Sequence, residues 1–337
     1  MLGGLAQSLD RDELVIYYNA VAGTPRFSQP VRERFIRMPN RTLWNQVRVP
    51  LAARQDRLDV YLGTAAVVPT LLSTPSVVIV HDCLAIRDPA SKPGADGRYW
   101  RRWLRSSVRH ARRVIAVSED TARDCRELLG VPADRTRVVL NGVGREFLAG
   151  DRGDIPGARA MLAARGVQPG RYLLQVGAFD RHKGADVALE TTRVLRGRGH
   201  DVALVQCGPG GPKSPPDEPW HVVPGIVDDD ILRALYSDAL ALLVCSTHEG
   251  FGLPVLEAMA LGTPVVTTRA GALPEAGGDV ALYVDPGDAP GFASAVEQLT
   301  DPEFGAKRAA EGVRRAATFT WERAAAATME ILREAIA

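Results

Sequence analysis

The sequence predicts an α/β protein of two units, each built from parallel strands alternating with helices. Three observations carry that expectation. Short apolar runs of strand length, among them Val77-Val78-Ile79-Val80, Val114-Ile115-Ala116-Val117 and Tyr172-Leu173-Leu174-Gln175-Val176, recur between stretches of helical periodicity, as βα units require. Between Phe147 and Arg171 the composition shifts, with Gly150, Gly153, Pro156, Gly157, Pro169 and Gly170 punctuating a short helix, which marks a domain boundary. Several apolar runs also end in polar or glycine-containing turns, and in an open parallel sheet the residues just past a strand's carboxyl end lie at the ligand crevice.

Taken in order, residues 2–9 read as the end of a helix leading into a strand over 13–18, where Val15, Ile16, Tyr17 and Tyr18 favour β structure. A helix over 43–54, a short strand over 59–62 and the apolar strand over 77–80 follow. That last strand ends in His81-Asp82. His81 reads either as a crevice residue or as a histidine tied up in a local turn. Between Arg98 and Arg113 the chain carries seven arginines and no acid, interleaved with Tyr99, Trp100 and Trp103. Trp100, Trp103, Leu104, Ser107, Val108 and Ala111 follow helical spacing, so one face can pack while the arginines take the other. Such a face is either a solvated basic surface or a peripheral contact with an anionic membrane. A buried strand over 114–117 precedes Ser118, which caps the next helix. A strand over 137–140 leads into the Asn141-Gly142 turn that closes the first half.

The second half repeats the alternation, with strands over 172–176, 202–206, 221–223, 240–245 and 265–268. A Pro- and Gly-rich stretch over 208–219 reads as a surface loop. Helices over 289–299 and 303–316 lead to a long amphipathic helix over 321–336.

Composition bounds the function. A length of 337 residues allows two ordinary domains, and 46% hydrophobic with 24% charged residues is the balance of a globular protein. A net charge of +1 gives no overall field for nucleic acid. The cysteines, Cys83, Cys125, Cys207 and Cys245, are far apart and suit reduced core thiols in a cytoplasmic setting better than disulfides or a zinc site. No segment approaches the roughly 18 apolar residues of a membrane span, and the first residues do not read as a signal peptide, so any membrane contact is expected to be peripheral.

The most informative stretch is Ser246-Thr247-His248-Glu249-Gly250-Phe251-Gly252-Leu253-Pro254, continuing through Glu257 to Ala260. A strand runs into a glycine-containing turn, and Pro254 suits the start of a helix, where its missing N–H costs nothing. The backbone N–H groups of about Phe251 to Val255 are then unpaired at the positive end of a helix dipole and would suit a phosphate. Glu249 and Glu257 bracket this turn. Its plain alternative is a strand-turn-helix with a capping and a surface glutamate. A second strand-to-helix junction, Gly177 to Gly184, carries Arg181 and Lys183. Arginine makes up 37 of the 41 basic residues, so a lysine at such a junction stands out as a compact charge for phosphate, the plain alternative being an exposed basic loop. The run Asp228-Asp229-Asp230 reads as a helix cap, not a metal site.

The segment from Glu249 to Glu257 resembles the E-x7-E signature of retaining glycosyltransferases. The order around it is similar to glycosyltransferase family 4: His81-Asp82, then 114–118, Asn141-Gly142-Val143, Gly177 with Arg181 and Lys183, Pro224-Gly225-Ile226-Val227-Asp228, the Glu249 block, Pro274-Glu275 and Phe319-Thr320-Trp321. Any one motif is weak, but their order and spacing cover nearly the whole chain. The resemblance implies the GT-B fold, two Rossmann-like domains facing across a cleft with the last helix crossing back to the first. The expected limits are 1–148 for the acceptor-side domain, 149–318 for the donor-binding domain and 319–337 for the returning helix.

The resemblance further implies a retaining, metal-independent hexosyltransferase, mannosyltransferase-like, with no cofactor beyond a UDP- or GDP-linked sugar as donor substrate and a small or lipid-linked acceptor. Arg181 and Lys183 would bind the diphosphate, with the N–H groups of Phe251, Gly252 and Leu253. Gly177 would border the donor, Ile226 and Val227 the base, and Glu257 would accept from the ribose hydroxyls. Glu249 would bind hydroxyls of the transferred sugar, while His81 would lie beside that sugar on the acceptor side, where Asp82 follows it. Family members usually begin with a strand and a glycine-rich loop ahead of the helix that residues 2–9 finish. The first sheet is therefore expected to lack a central strand and the crevice one wall. Ala178 stands where some relatives carry an arginine. A binding protein of the same fold that does not turn the donor over is the alternative from another class.

Overall fold

The computed structural model describes residues 2–7, 9, 12–20, 27, 31–210 and 218–337. The chain divides into two compact units, Met1–Gly142 with Trp321–Ala337, and Val143–Thr320. The first boundary falls six residues before the expected 148/149. Val143 and Thr320 form a parallel bridge, closed by the Val143 N–H donating to the Phe319 carbonyl, which ties the chain from Val143 onward to the second unit.

In the first unit, β1 (Leu14–Tyr18) and β2 (Val31–Phe35) pair with each other in parallel. β3 (Tyr61–Gly63), β4 (Ser76–Val80), β5 (Arg113–Ala116) and β6 (Thr136–Val138) form a separate parallel sheet in that order. β4 is buried along its whole length, as the centre of a parallel sheet must be. Val78, Val80 and Val114 pack with Leu104, Val108 and Cys125 from the covering helices. A two-stranded parallel pair has little stability alone, and β1–β2 is held from outside. Asp56, at the end of the Val49–Gln55 helix, accepts from Tyr17 Oη at 2.7 Å and Arg34 Nη1 at 2.6 Å, and also binds Arg32.

The expected helix over 43–54 is a longer helical segment, Arg41–Leu43, Trp44–Arg48 and Val49–Gln55, whose middle is a π turn. Pro50 has no N–H to offer the Gln46 carbonyl, and the Val49 N–H instead reaches the Trp44 carbonyl five residues back. The last helix, Trp321–Ile336, belongs to the first unit. There Arg112 Nη1 donates to the Ala335 carbonyl at 2.8 Å, and Glu334 pairs with Arg113 and Arg137.

The second unit holds β7 (Tyr172–Val176), β8 (Ala203–Cys207), β9 (His221–Gly225), β10 (Ala241–Val244), β11 (Val265–Thr267) and β12 (Leu282–Tyr283). The sheet order is β12-β11-β10-β7-β8-β9, every pair parallel. Strand order therefore reverses between β7 and β10. Leu173, Leu204, Leu243 and Val266 meet Phe292 and Val296 of the Ala289–Leu299 helix in one buried cluster. β2 and β12 were not legible as strands: β2 reads Val-Arg-Glu-Arg-Phe, and β12 is two residues long. Of the loop expected over 208–219, residues 211–217 lie outside the described residues.

Candidate functional site

The reversal of strand order between β7 and β10 is where an open α/β sheet leaves a crevice for ligand, because the connections leaving the two strands run to opposite faces. Both motifs singled out in the sequence follow these two strands. After β7 come Gly177 and the short helical turn Arg181–Lys183, and Gly184 then opens the Ala185–Gly197 helix. After β10 come Ser246, Glu249 and Gly252, which opens the Leu253–Ala260 helix with Pro254 in its first turn. Gly184 is required twice over. Its φ is +63°, and a Cβ there would stand 2.4 Å from the Cys245 carbonyl oxygen, so the two loops touch backbone to backbone. The Thr247 N–H closes the contact on the His182 carbonyl at 2.8 Å.

Across this junction Lys183 Nζ meets Glu249 Oε1 at 2.6 Å. Ser246 Oγ donates to the same oxygen at 2.7 Å, which leaves Oε2 of Glu249 for another donor. The backbone of Glu249 is fixed from behind, since its carbonyl accepts from the Ala272 N–H at 2.9 Å and a Cβ at Gly271 would come within 2.3 Å of it. Arg181 is exposed, and no described residue forms an ion pair with it. A small cavity beside Lys183 is lined by Gly177, Ala178, Phe179 and Gln206.

Glu257 lies inside the Leu253–Ala260 helix and accepts from Tyr236 Oη at 2.9 Å. Burial pushes its carboxyl above the usual 4.5, against the lowering effect of that hydrogen bond. Phe251, Gly252 and Leu253 stand at the start of the same helix, where backbone N–H groups have no intrahelical acceptor. The expected free run stops short of Val255, whose N–H donates to the Gly252 carbonyl at 3.1 Å as the first turn closes. Ile226 and Val227 follow β9, and Ile226 is 79% exposed. Asp228 caps the next helix by accepting from the Ile231 N–H at 2.8 Å. His81 and Asp82 lie in the first unit at the end of β4 and have local partners. His81 Nε2 is 2.8 Å from the Thr64 carbonyl, and Asp82 accepts from the Leu84 N–H at 2.9 Å.

The sequence reading missed the support behind Lys183. His221 Nε2 donates to Gln206 Oε1, Gln206 Nε2 donates to Gln175 Oε1 and to the Ala185 carbonyl, and Gln175 Nε2 donates to the Lys183 carbonyl at 2.9 Å. These three buried side chains connect β9, β8 and β7 to the turn that carries the lysine. Burial holds His221 below its ordinary 6.5, since the charged ring is disfavoured away from water, and a neutral imidazole can donate from one nitrogen as this contact requires. The available signal was two glutamines, Gln175 and Gln206, inside otherwise apolar strands and in register with each other.

The comparisons with known proteins converge. The model for "Glycosyl transferases group 1" matches residues 170–301, and that for "Glycosyltransferase Family 4" matches residues 4–147. The chain is 30% identical over 313 residues to an MMP alpha-(1->4)-mannosyltransferase of Mycolicibacterium hassiacum, covering 85% of this chain and 73% of the relative. It is 28% identical over 302 residues to O-antigen chain mannosyltransferase B of Escherichia coli, covering 84% and 74%. Among solved structures it is similar to sucrose-phosphate synthase from Thermosynechococcus elongatus, with a TM-score of 0.73, 20% identity and coverage of 98% and 91%. It is also similar to Anabaena HepE in complex with UDP and glucose, with a TM-score of 0.68, 19% identity and coverage of 90% and 86%. The fold is that of the GT-B glycosyltransferases.

Proposed function

Because this chain belongs to glycosyltransferase family 4, and is a glycosyltransferase, we propose that it moves a hexosyl group from a UDP- or GDP-linked sugar to a small-molecule or lipid-linked acceptor, with retention and without a metal. The observation that carries the reading is the Lys183–Glu249 pair at the strand reversal, beside the start of the Leu253–Ala260 helix. UDP in the HepE structure and the names of the two mannosyltransferase relatives support a nucleotide-sugar donor and a hexose.

Transfer breaks the bond from the anomeric carbon to the diphosphate oxygen and forms one to the acceptor hydroxyl oxygen. The acceptor's proton passes to the departing phosphate on the same face. Negative charge grows on the leaving diphosphate, so fixed positive charge there is the main catalytic need. Lys183, Arg181 and the backbone N–H groups of Phe251, Gly252 and Leu253 meet it, the helix terminus acting with the side-chain cations. Glu249 Oε2 takes a hydroxyl of the transferred sugar, Glu257 takes the ribose, and Gly177, Ile226 and Val227 border the nucleotide. His81 and Asp82 keep the acceptor-side assignment that the family resemblance gives them.

Incubation with a panel of radiolabelled UDP- and GDP-hexoses tests the reading. One donor is consumed, and Glu249→Ala lowers its turnover by about 10- to 100-fold, the scale of a lost hydrogen bond between a charged group and the transferred sugar. A donor that is bound yet recovered intact would favour the non-catalytic binding protein instead.

A further inference from the structure

Four arginines of the Gly94–His110 helix, Arg98, Arg102, Arg105 and Arg109, are exposed and stand at positions i, i+4, i+7 and i+11, which is one stripe along an α-helix. No described carboxylate pairs with any of them. The neighbouring arginines are engaged: Arg101 donates to the Lys92 carbonyl, Arg112 to the Ala335 carbonyl and Arg113 to Glu334. Asp96, the helix's acid, is already paired with Arg41 at 2.8 Å and accepts from Trp100.

A second observation comes from the adjoining helical segment over 41–55. It lies against the arginine helix through Arg41, whose guanidinium sits 3.7 Å from the Tyr99 ring centre, and through Asn45 Nδ2, 3.3 Å from Tyr99 Oη. Away from its buried side it exposes Leu43, Val47 and Leu51, spaced four residues apart, with Arg48 and Arg54 also exposed. Leu71 is exposed next to Thr70, which is bound through its N–H and hydroxyl to Gln46 of the same segment. Half of the eight large apolar side chains exposed among the described residues are thus on this segment and the loop tied to it. Scattered apolar exposure is ordinary, but its concentration beside exposed cations that lack a carboxylate partner, Arg102 lying only over the neighbouring Trp103 ring, marks an interaction surface.

We propose that this surface docks the first unit on a bilayer containing anionic lipids, with Leu43, Val47, Leu51 and Leu71 entering the headgroup boundary and the arginine stripe pairing with lipid phosphates. The apolar side chains favour a bilayer over nucleic acid, whose backbone offers them nothing. The like charges disfavour a second copy of this chain, since a two-fold contact through this face would bring arginine against arginine. The surface goes beyond the donor-site reading, and binding to it involves no turnover.

Co-sedimentation with vesicles of phosphatidylcholine, alone or mixed with phosphatidylglycerol, is the test. The protein pellets with the mixed vesicles only, and less as salt rises. Arg102→Ala with Arg105→Ala lowers the partition coefficient by roughly 25-fold, about fivefold for each arginine near a charged surface. Leu43→Ser with Leu51→Ser weakens binding and makes the remainder more salt-sensitive. Unchanged circular dichroism and donor turnover in both double variants exclude misfolding as the cause. No pelleting, equal pelleting with both vesicle types, or double variants indistinguishable from the parent would overturn the proposal.

Discussion

At the scale of single residues, the proposed donor site rests on groups whose positions are fixed by more than one contact. Glu249 is held through its side chain by Lys183 and Ser246 and through its carbonyl by Ala272, so its free oxygen is presented without a search through rotamers. Glu257 differs, being a largely buried carboxylate with Tyr236 as its donor. Its assignment to the ribose predicts that Glu257→Gln weakens nucleoside diphosphate binding by about tenfold, the scale of a hydrogen bond to a charged group. Binding of inorganic pyrophosphate, which has no ribose, stays unchanged. Calorimetric titration of both ligands checks this, and an equal loss for each would remove Glu257 from the ribose.

At the scale of elements, the strand reversal between β7 and β10 does the positioning, and the relay from His221 through Gln206 and Gln175 steadies the turn that carries Lys183. The relay predicts that Gln206→Leu, which cuts the link from His221 to Gln175, weakens nucleoside diphosphate binding in the same titration. It also carries a pH dependence. The folded state holds His221 below its ordinary 6.5, so the unfolded chain binds the extra proton first. Stability contributed here is present above about pH 6.5 and declines as pH falls below it. His221→Gln removes this decline in a series of urea midpoints from pH 8 to pH 5, and an unaltered decline would assign it to other groups.

Much of this level was readable from sequence, because Gly252, Pro254 and the flanking apolar runs each have a local backbone reason to stand where they do. The relay was not readable as a relay, since a hydrogen bond between glutamines on adjacent strands depends on sheet register. β2 was hidden by Arg32, Glu33 and Arg34, and the two arginines find their partners elsewhere in the fold, in Asp56 and Glu13. The π turn before Pro50 likewise follows from a missing N–H that a periodicity count does not register.

At the scale of the whole molecule, the two units solve the same packing problem with different completeness. The second unit has one six-stranded parallel sheet, while the described strands of the first fall into a sheet of four and a pair. Asp56 is the latch on that pair. Burial would raise its carboxyl, but hydrogen bonds from Tyr17 and Arg34 and the charges of Arg34 and Arg32 bring it below the usual 3.8. Stability from this latch is therefore present above about pH 3.8 and lost as pH falls through the depressed value. Asp56→Asn is expected to cost about 1–3 kcal/mol at neutral pH, with the gap to the parent protein narrowing in acid. Urea denaturation at neutral and acid pH measures both. The order of motifs in the sequence was enough to place the chain in its family, whereas the apolar half of the proposed docking surface became visible only when Leu43, Val47, Leu51 and Leu71 were found exposed together.

The central claim is that the cations and helix terminus at the β7/β10 reversal bind the diphosphate of a nucleotide sugar. Calorimetric titration of UDP and GDP into the parent protein, Lys183→Ala and Arg314→Ala, which removes an exposed side chain of the Pro302–Ala316 helix, tests it most directly. One nucleotide binds the parent and Arg314→Ala alike, and Lys183→Ala weakens it about 10- to 100-fold, the range for a charge-assisted hydrogen bond. Undiminished binding to Lys183→Ala, or no binding of either nucleotide to the parent, would contradict it.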